Sequence, residues 1–485
     1  MRRRYILPSF GESFYKEVIM SEITMNEEVK LQENKMGTMP VKKLVVNMAL
    51  PMMVSMLVQA LYNIVDSIFV SHYSDEALSA VSMAFPLQTL LIAVGSGTGV
   101  GINALLSKSL GEKNYDKVNK TAANGFFLYI LSWLVFICLA FTIVKPFSYS
   151  IMENPEDAPI ADLAITYLSI VMSCSLGLFM QMYFERLLSS TGKTMYSMIS
   201  QICGAVTNII LDPIMIFGLL GCPKMGIAGA AIATVIGQAL AACVGYVLNK
   251  KVNNEVSVSL KGFRPEAGII GRIYAVGLPS IIMQSVGCVM NYAMNKILYV
   301  YTANAISVFG IYYKLQSFFF MPVFGMNNAI APIIAYCYGA EQRKRMIKAI
   351  KFSLAMAVGI LSIGFLSFEL VPGVLLKIFD ANETVMAMGI PALRIIGIHF
   401  LIAWYCIIIG TVFQALNRAF YSLIVSVMRQ IVVLLPAAYL LSLTGSLNAV
   451  WWAFPIAEIM SFIVTTICFI SVYNKIIKKI PEGRD

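Results

Sequence analysis

Asp66 is the residue of this sequence that most needs a reason to be where it is. It lies inside an apolar run, in the stretch Gln59-Ala-Leu-Tyr62-Asn63-Ile-Val-Asp66. An ionisable group at mid-membrane costs on the order of 3 kcal/mol and is kept mainly where it acts. Gln59, Tyr62, Asn63 and Asp66 recur at i, i+3, i+4 and i+7, which is one face of a helix. A stripe of this kind faces protein or water, and its plainest use is an interior hydrogen-bond seam. Further along, Asn208 and Asp212 stand four apart, followed by Pro213. Asp-Pro also marks helix ends, so a turn is the competing reading there. Ala230 and Thr234 are again four apart, after Gly226-Ile-Ala-Gly229-Ala-Ala. If the three helices converge, they offer two carboxylates, an amide oxygen and a hydroxyl. Hard cations such as Na⁺ take oxygen ligands of this kind. Two adjacent carboxylates also titrate as a coupled pair. The expected chemistry is therefore binding of Na⁺ or H⁺. Bond-making chemistry is not expected: there is no nucleophile–base pair, and no GxxxxGK[ST] loop for ATP.

The elements that must hold these residues follow from composition. Of 485 residues, 58% are hydrophobic and 13% charged, and mean hydropathy is +0.76. Soluble domains are about a quarter charged, so a soluble protein of this length is excluded. Each membrane-spanning helix needs roughly 20 apolar residues. Apolar runs fall at 45–70, 77–107, 121–144, 160–184, 194–220 and 226–249, then at 273–300, 304–337, 349–371, 386–413, 419–442 and 447–474. Twelve helices are predicted and no strands, since only helices or closed barrels cross lipid. The nine cysteines are scattered without a CxxC pair and there are two histidines, so neither a disulfide framework nor a zinc site is expected.

Lysine and arginine set the orientation. With the N-terminus in the cytoplasm, 29 of them fall in the tails and inside loops, against Lys145, Lys224 and Lys377 outside. This is a strong positive-inside asymmetry, and it predicts both termini in the cytoplasm of a bacterial-type plasma membrane. It also accounts for the net +10 better than nucleic-acid binding does. The N-terminal tail has no long apolar segment, so no cleaved signal peptide is expected, and Met20 or Met25 can be the true start.

The two sets of six runs resemble each other. Leu50-Pro51 recurs as Leu278-Pro279, and at the same spacing Asn63 matches Asn291, Ser79 matches Ser307, Gln88 matches Gln316 and Gly111 matches Gly339. Six spans per repeat is even, so the halves share one orientation, and such halves usually enclose a central cavity. The predicted organisation is a tail over 1–44, an N-lobe over 45–249, a cytoplasmic linker over 250–272, a C-lobe over 273–474 and a tail over 475–485. The run Gly95-Ser-Gly97-Thr-Gly99-Val-Gly101 lies in a span with no strand before it, so it reads as small-residue helix packing. Lys296, Lys314, Arg394 and Arg429 either line a C-lobe cavity, pair with Glu369 or Glu458, or snorkel to the inner surface. His399 reads as a hydrogen-bonded interior residue.

The chain from residue 40 to 475 resembles the multidrug and toxic compound extrusion (MATE) transporters, most like their prokaryotic DinF-like branch. The resemblance rests on the repeat, on Leu50-Pro51 through Val-Asp66-Ser-Ile-Phe-Val70, on Gly97-Thr-Gly-Val-Gly-Ile-Asn103, and on Asn208-Ile-Ile-Leu-Asp212-Pro213 with Gly226 to Thr234. It implies an all-α membrane protein of twelve helices in two parallel six-helix lobes around a central cavity. It implies a first helix that bends at Pro51. It implies a cation or proton site at Asp66, Asn208, Asp212 and Thr234, with the Ala230 carbonyl. Gln59, Tyr62, Asn63, Gln88, Gln284 and Asn291 are the candidates for the substrate cavity or proton network. The seventh and tenth spans lack the acidic pair of the NorM-like branch and carry Lys296 and Arg394 instead, which argues against a C-lobe cation site.

The activity implied is Na⁺- or H⁺-coupled antiport that exports small amphipathic, often cationic, drug-like compounds. No cofactor beyond that ion, no nucleic acid and no obligatory partner are expected, and a monomer in the bilayer suffices. The alternative within transport is a flippase for lipid-linked saccharides, whose phosphates the intramembrane bases could hold. A passive channel or structural protein is the rival from another class.

Overall fold

The structure is a computed structural model that describes residues 34–150, 158–258, 262–379 and 381–482. The expected tail over 1–44 therefore lies outside the described residues up to 33. Among the described residues every regular element is a helix. Ten helices are long and apolar enough to cross a membrane, and two bent pairs pass the same test together. Counting each pair once gives twelve spans.

The first six spans are α1 (Val41–Tyr73), α2 (Asp75–Gly111), α3 (Tyr115–Thr142), the bent pair α4 (Ala158–Ser173) with α5 (Leu176–Ser190), α6 (Thr194–Phe217) and α7 (Ile227–Val252). The second six are α8 (Ala267–Tyr299), α9 (Ala303–Gly339), α10 (Arg343–Leu370), the bent pair α11 (Glu383–Gly397) with α12 (Phe400–Ala415), α13 (Ala419–Ser442) and α14 (Leu447–Lys479). The first three helices are 33, 37 and 28 residues long, and so are α8, α9 and α10. The bent span stands fourth in both sets, with angles of 46° and 50°.

Each bend has a local cause. In the fourth span the chain leaves helical register at Cys174 and Ser175, and the Ser175 hydroxyl donates to the Met172 carbonyl at 2.7 Å. In the tenth, His399 Nδ1 contacts the Ile396 carbonyl oxygen at 2.6 Å. A side chain inserted in the backbone ladder frees carbonyls and lets the axis turn. Pro51 does not break α1, although it removes the N–H that would reach the Asn47 carbonyl.

Helices outrun the apolar stretches, chiefly at ends rich in lysine and arginine. α3 begins at Tyr115 where the apolar run begins at 121, and α8 and α10 each begin six residues early. Hydropathy marks the stretch in lipid, while the helix continues into the interface, where polar turns still satisfy their backbone bonds. For the same reason Arg186, which hydropathy assigns to a loop, lies inside α5 and donates to Asn328 Oδ1 of α9 at 3.0 Å.

The two sets of helices meet mainly through α1 with α9 and α2 with α8. Glycine makes that contact close. A Cβ on Gly101 would stand 2.1 Å from the Ile273 carbonyl oxygen, and one on Gly325 would stand 2.5 Å from that of Met52. The glycine run of α2 is thus a packing face, as its composition predicts. At one end of the bundle Gly111 and Gly339 cross reciprocally: their Cβ positions lie 2.2 Å from the Tyr336 oxygen and 2.0 Å from the Lys108 oxygen. The N-terminal segment seals the same end, with Arg345 Nε donating to the Met36 carbonyl at 2.9 Å.

Candidate functional site

Close packing of α6 on α7 builds the core of the site. Gly229 faces the Met215 carbonyl, and Gly237 faces the Gly204 carbonyl and Asn208 Cβ. With no side chains between them, the helices come near enough for Asn208 to reach across. Asn208 Nδ2 donates to Asp212 Oδ1 on its own helix at 3.2 Å and to Thr234 Oγ1 on α7 at 3.3 Å. From α1, the Asp66 carboxyl meets that of Asp212 within hydrogen-bond reach. Asp212 is fully buried and Asn208 almost so. The structure thus brings Asp66, Asn208, Asp212 and Thr234 together from three helices. Ala230 is buried one turn before Thr234 on the same helix face.

Three oxygens of this cluster lack hydrogen-bond partners: Asp66 Oδ1, Asn208 Oδ1 and Asp212 Oδ2. Buried polar atoms are nearly always paired, so three unpaired acceptors in one cluster ask for a ligand that supplies positive charge. A proton or a monovalent cation does so. It also removes the repulsion between two carboxylates that share a buried site. The donor set is all oxygen, which fits Na⁺ as well as H⁺.

Around the cluster runs a belt of weaker polar contacts. Tyr62 lies beside both aspartates. Gln88 Nε2 on α2 donates at 2.9 Å to Tyr167 Oη on α4, and Tyr167 in turn lies near Asp66, Tyr62 and Asp212. Gln59 Oε1 accepts from Gln201 Nε2 of α6 at 2.9 Å, and the Ser55 hydroxyl donates to Gln201 Oε1. Sequence reasoning missed Tyr167, Gln201 and Ser55. It also missed Glu185, whose carboxylate accepts from Gln181 Nε2 at 2.9 Å inside α5.

Other candidates stand apart. Asn63 is exposed. At 100° per residue it falls on the edge of the stripe away from Tyr62. Gln284 and Asn291 donate to carbonyls of their own helix, at 3.4 Å and 3.1 Å. Lys296 sits exposed in the last turn of α8, 4.9 Å from the centre of the Tyr292 ring. Lys314 is exposed and lies 6.0 Å from the Phe379 ring, and Arg394 is exposed near the end of α11. His399 is buried, as expected, with Nε2 3.4 Å from Gln316 Nε2.

The MatE family model matches this chain twice, over residues 51–214 and 279–440. The chain belongs to the MatE family. Each match begins at the proline of the repeated Leu-Pro pair. The MatE chain is 26% identical over 423 residues to the multidrug export protein MepA of Staphylococcus aureus (strain NCTC 8325 / PS 47), covering 86% of this chain and 91% of that protein. It superimposes with a TM-score of 0.86 on an outward-facing multidrug resistance MATE family transporter of the MOP superfamily, at 23% identity over 92% of this chain and 99% of that one. A second solved structure, a MOP superfamily transporter from Pyrococcus furiosus, aligns with a TM-score of 0.83 at 24% identity over the same shares. Membership makes this protein a multi-pass membrane transporter rather than an enzyme.

Proposed function

We propose that this MatE protein exports small amphipathic, often cationic, compounds by antiport against Na⁺ or H⁺. The observation that carries the reading is the set of three unpartnered oxygens on Asp66, Asn208 and Asp212. A Na⁺ or H⁺ taken up there neutralises a pair of carboxylates that cannot stably coexist as two bare charges. Ion binding moves the protein between states only through a difference in affinity for them. The cluster joins α1 to α6 and α7, so a different placement of α1 changes the oxygen geometry, and a bend at Pro51 is the motion that does this. The rest of the scheme has two lobes, N-terminal and C-terminal, rocking about a central cavity, with both termini in the cytoplasm. The glycine-tight crossing at Gly111 and Gly339 supports assigning the present state as closed on the cytoplasmic side. One chain and a bilayer are all the scheme requires. Drug-like cargo is favoured over lipid-linked phosphates by the multidrug export named for the MepA relatives.

The test is efflux of a fluorescent cationic dye from proteoliposomes under an imposed Na⁺ or pH gradient. Wild type should export under one gradient, which names the ion, and Asp66→Asn should lose gradient-driven export. Export by Asp66→Asn at the wild-type rate would sink the proposal.

A further inference from the structure

The second half of the chain holds its own charged cluster, built from different spans around a buried carboxylate and a half-buried arginine. Glu458 on α14 is 3% exposed, and its Oε2 lies 3.3 Å from Arg429 Nη1 on α13. The pairing settles which partner Arg429 takes. It leaves Glu458 Oε1 with no partner, together with the hydroxyls of Tyr312, Ser461 and Thr465, all of them buried. The ionisable groups facing the pair from the packed elements are Tyr312 of α9, His399 at the bend of the tenth span and Cys406 of α12. None of these three carries a fixed negative charge that would hold Arg429 in place of Glu458.

The backbone is unusual at this point too. Met428–Leu434 runs as a π-helix that ends two residues before Pro436. Proline removes a backbone donor, and the wider π turn absorbs the mismatch. Single π turns inside α-helices are frequent at functional sites. Here the turn carries Arg429.

We propose that Glu458 is a second protonation site, with Arg429 as its resident counter-ion. The step is simple. A hydronium ion gives its proton to the free oxygen, Oε1, and leaves as water, the ion pair opens, and the cluster changes from net neutral to a net charge of plus one. Apart from that proton transfer no covalent bond forms or breaks. Two features favour this over a permanent ion pair. A buried carboxylate that stays ionised recruits donors to both oxygens, whereas here one oxygen has none. The contact itself is single and 3.3 Å long, not the short bidentate fork of a committed arginine–carboxylate pair. A metal cation is disfavoured because the guanidinium already stands beside the one carboxylate that the described residues bring to this cluster. By helix order and length α13 is the counterpart of α6, which carries Asp212, both being 24 residues long. One half thus offers oxygens to an incoming positive charge, while the other carries its own. The proposal stands on this cluster alone, whatever the cargo and the coupling ion of the first site.

Infrared difference titration of the purified full-length chain tests it without any gradient or dye. A protonated-carboxyl C=O band should appear on acidification of the parent and of an Asp66→Asn/Asp212→Asn double variant. One component of that band should be missing in Glu458→Gln and displaced in frequency in Glu458→Asp. Replacing Na⁺ by K⁺ should leave it unchanged. Identical difference spectra for parent and Glu458→Gln would show a permanently ionised pair and overturn the proposal. A Na⁺-dependent loss of the band would overturn the proton as ligand. Should Glu458→Gln fail to fold, an unshifted band in Glu458→Asp is the overturning result.

Discussion

At the scale of the residue, the first cluster separates what spacing reveals from what only folding reveals. Asp66, Asn208, Asp212 and Thr234 could be picked out because a polar group in an apolar run is costly, and four-residue spacing puts such groups on one face. Tyr167 could not, because a tyrosine in a span is ordinary and it has no polar companion on its own helix face. Gln201 did carry a signal, since it stands seven residues before Asn208 and eleven before Asp212, on the same face of α6. Only the lateral order of helices carries the fourth and fifth spans to Asp66. Asn291, which answers Asn63 in the repeat, donates its amide to the Gly287 carbonyl one turn back on its own helix. The contact from Asn208 to Thr234 gives a sharp expectation. Thr234→Val keeps the shape and deletes the acceptor, so the chain should fold and insert normally. Its affinity for the coupling ion should fall about tenfold, the equivalent of one hydrogen bond of about 1.4 kcal/mol. Isothermal titration with Na⁺, or the pH midpoint of dye export if the ion is H⁺, reads this directly. An unchanged value would remove Thr234 from the site.

At the scale of the element, the twelve spans were legible because hydropathy reports where lipid lies, and their ends were not because helices continue past it. The basic first turns of α8 and α10 belong to the same rods as their apolar cores. One of these ends is tied to the C-terminal segment. Glu482 takes Arg343 at 2.8 Å and Lys344 at 3.0 Å, and these two cations hold its carboxyl below the usual carboxylate range. A depressed folded value means that the docking energy is present above the unfolded carboxylate value, about 4.3, and is lost as pH falls through the folded one. The pair is open to solvent, so salt should weaken it as well. Hydrogen-exchange protection at residues 477–482, taken relative to the intrinsic rate at each pH, should therefore be high at neutral pH and low salt, and should fall under acid. In Glu482→Gln it should be low throughout. Protection indifferent to pH in the parent would mean that Ile477 and Ile480 hold the segment by apolar contact alone.

At the scale of the whole molecule, the two halves touch along helices that contain glycine where the other half's backbone arrives. That arrangement suits a contact that must form fully and also release, because backbone-to-backbone approach leaves no side chains to disentangle. Gly101, Gly111 and Gly339 are the tightest points, each with room for hydrogen only, and Gly111 and Gly339 form the crossing at one end. A methyl group there must push α2 and α9 apart, and overpacking of this kind costs typically about 1–3 kcal/mol. On an alternating-access cycle the strain falls on the state with that end closed and not on the state with it open. Each 1–2 kcal/mol then raises the open population by about five- to thirtyfold. Ala104 reports the change. It is buried against Val276 and Ala419 of the other half, so an Ala104→Cys probe is sealed in the closed state. On a background with the nine native cysteines replaced, a membrane-impermeant maleimide applied from the side of the basic loops should label this probe slowly. Adding Gly339→Ala should speed labelling by that factor and leave folded protein in the membrane. Equal labelling rates would mean that the crossing is a fixed hinge, and the two halves would then have to move about it instead of parting there.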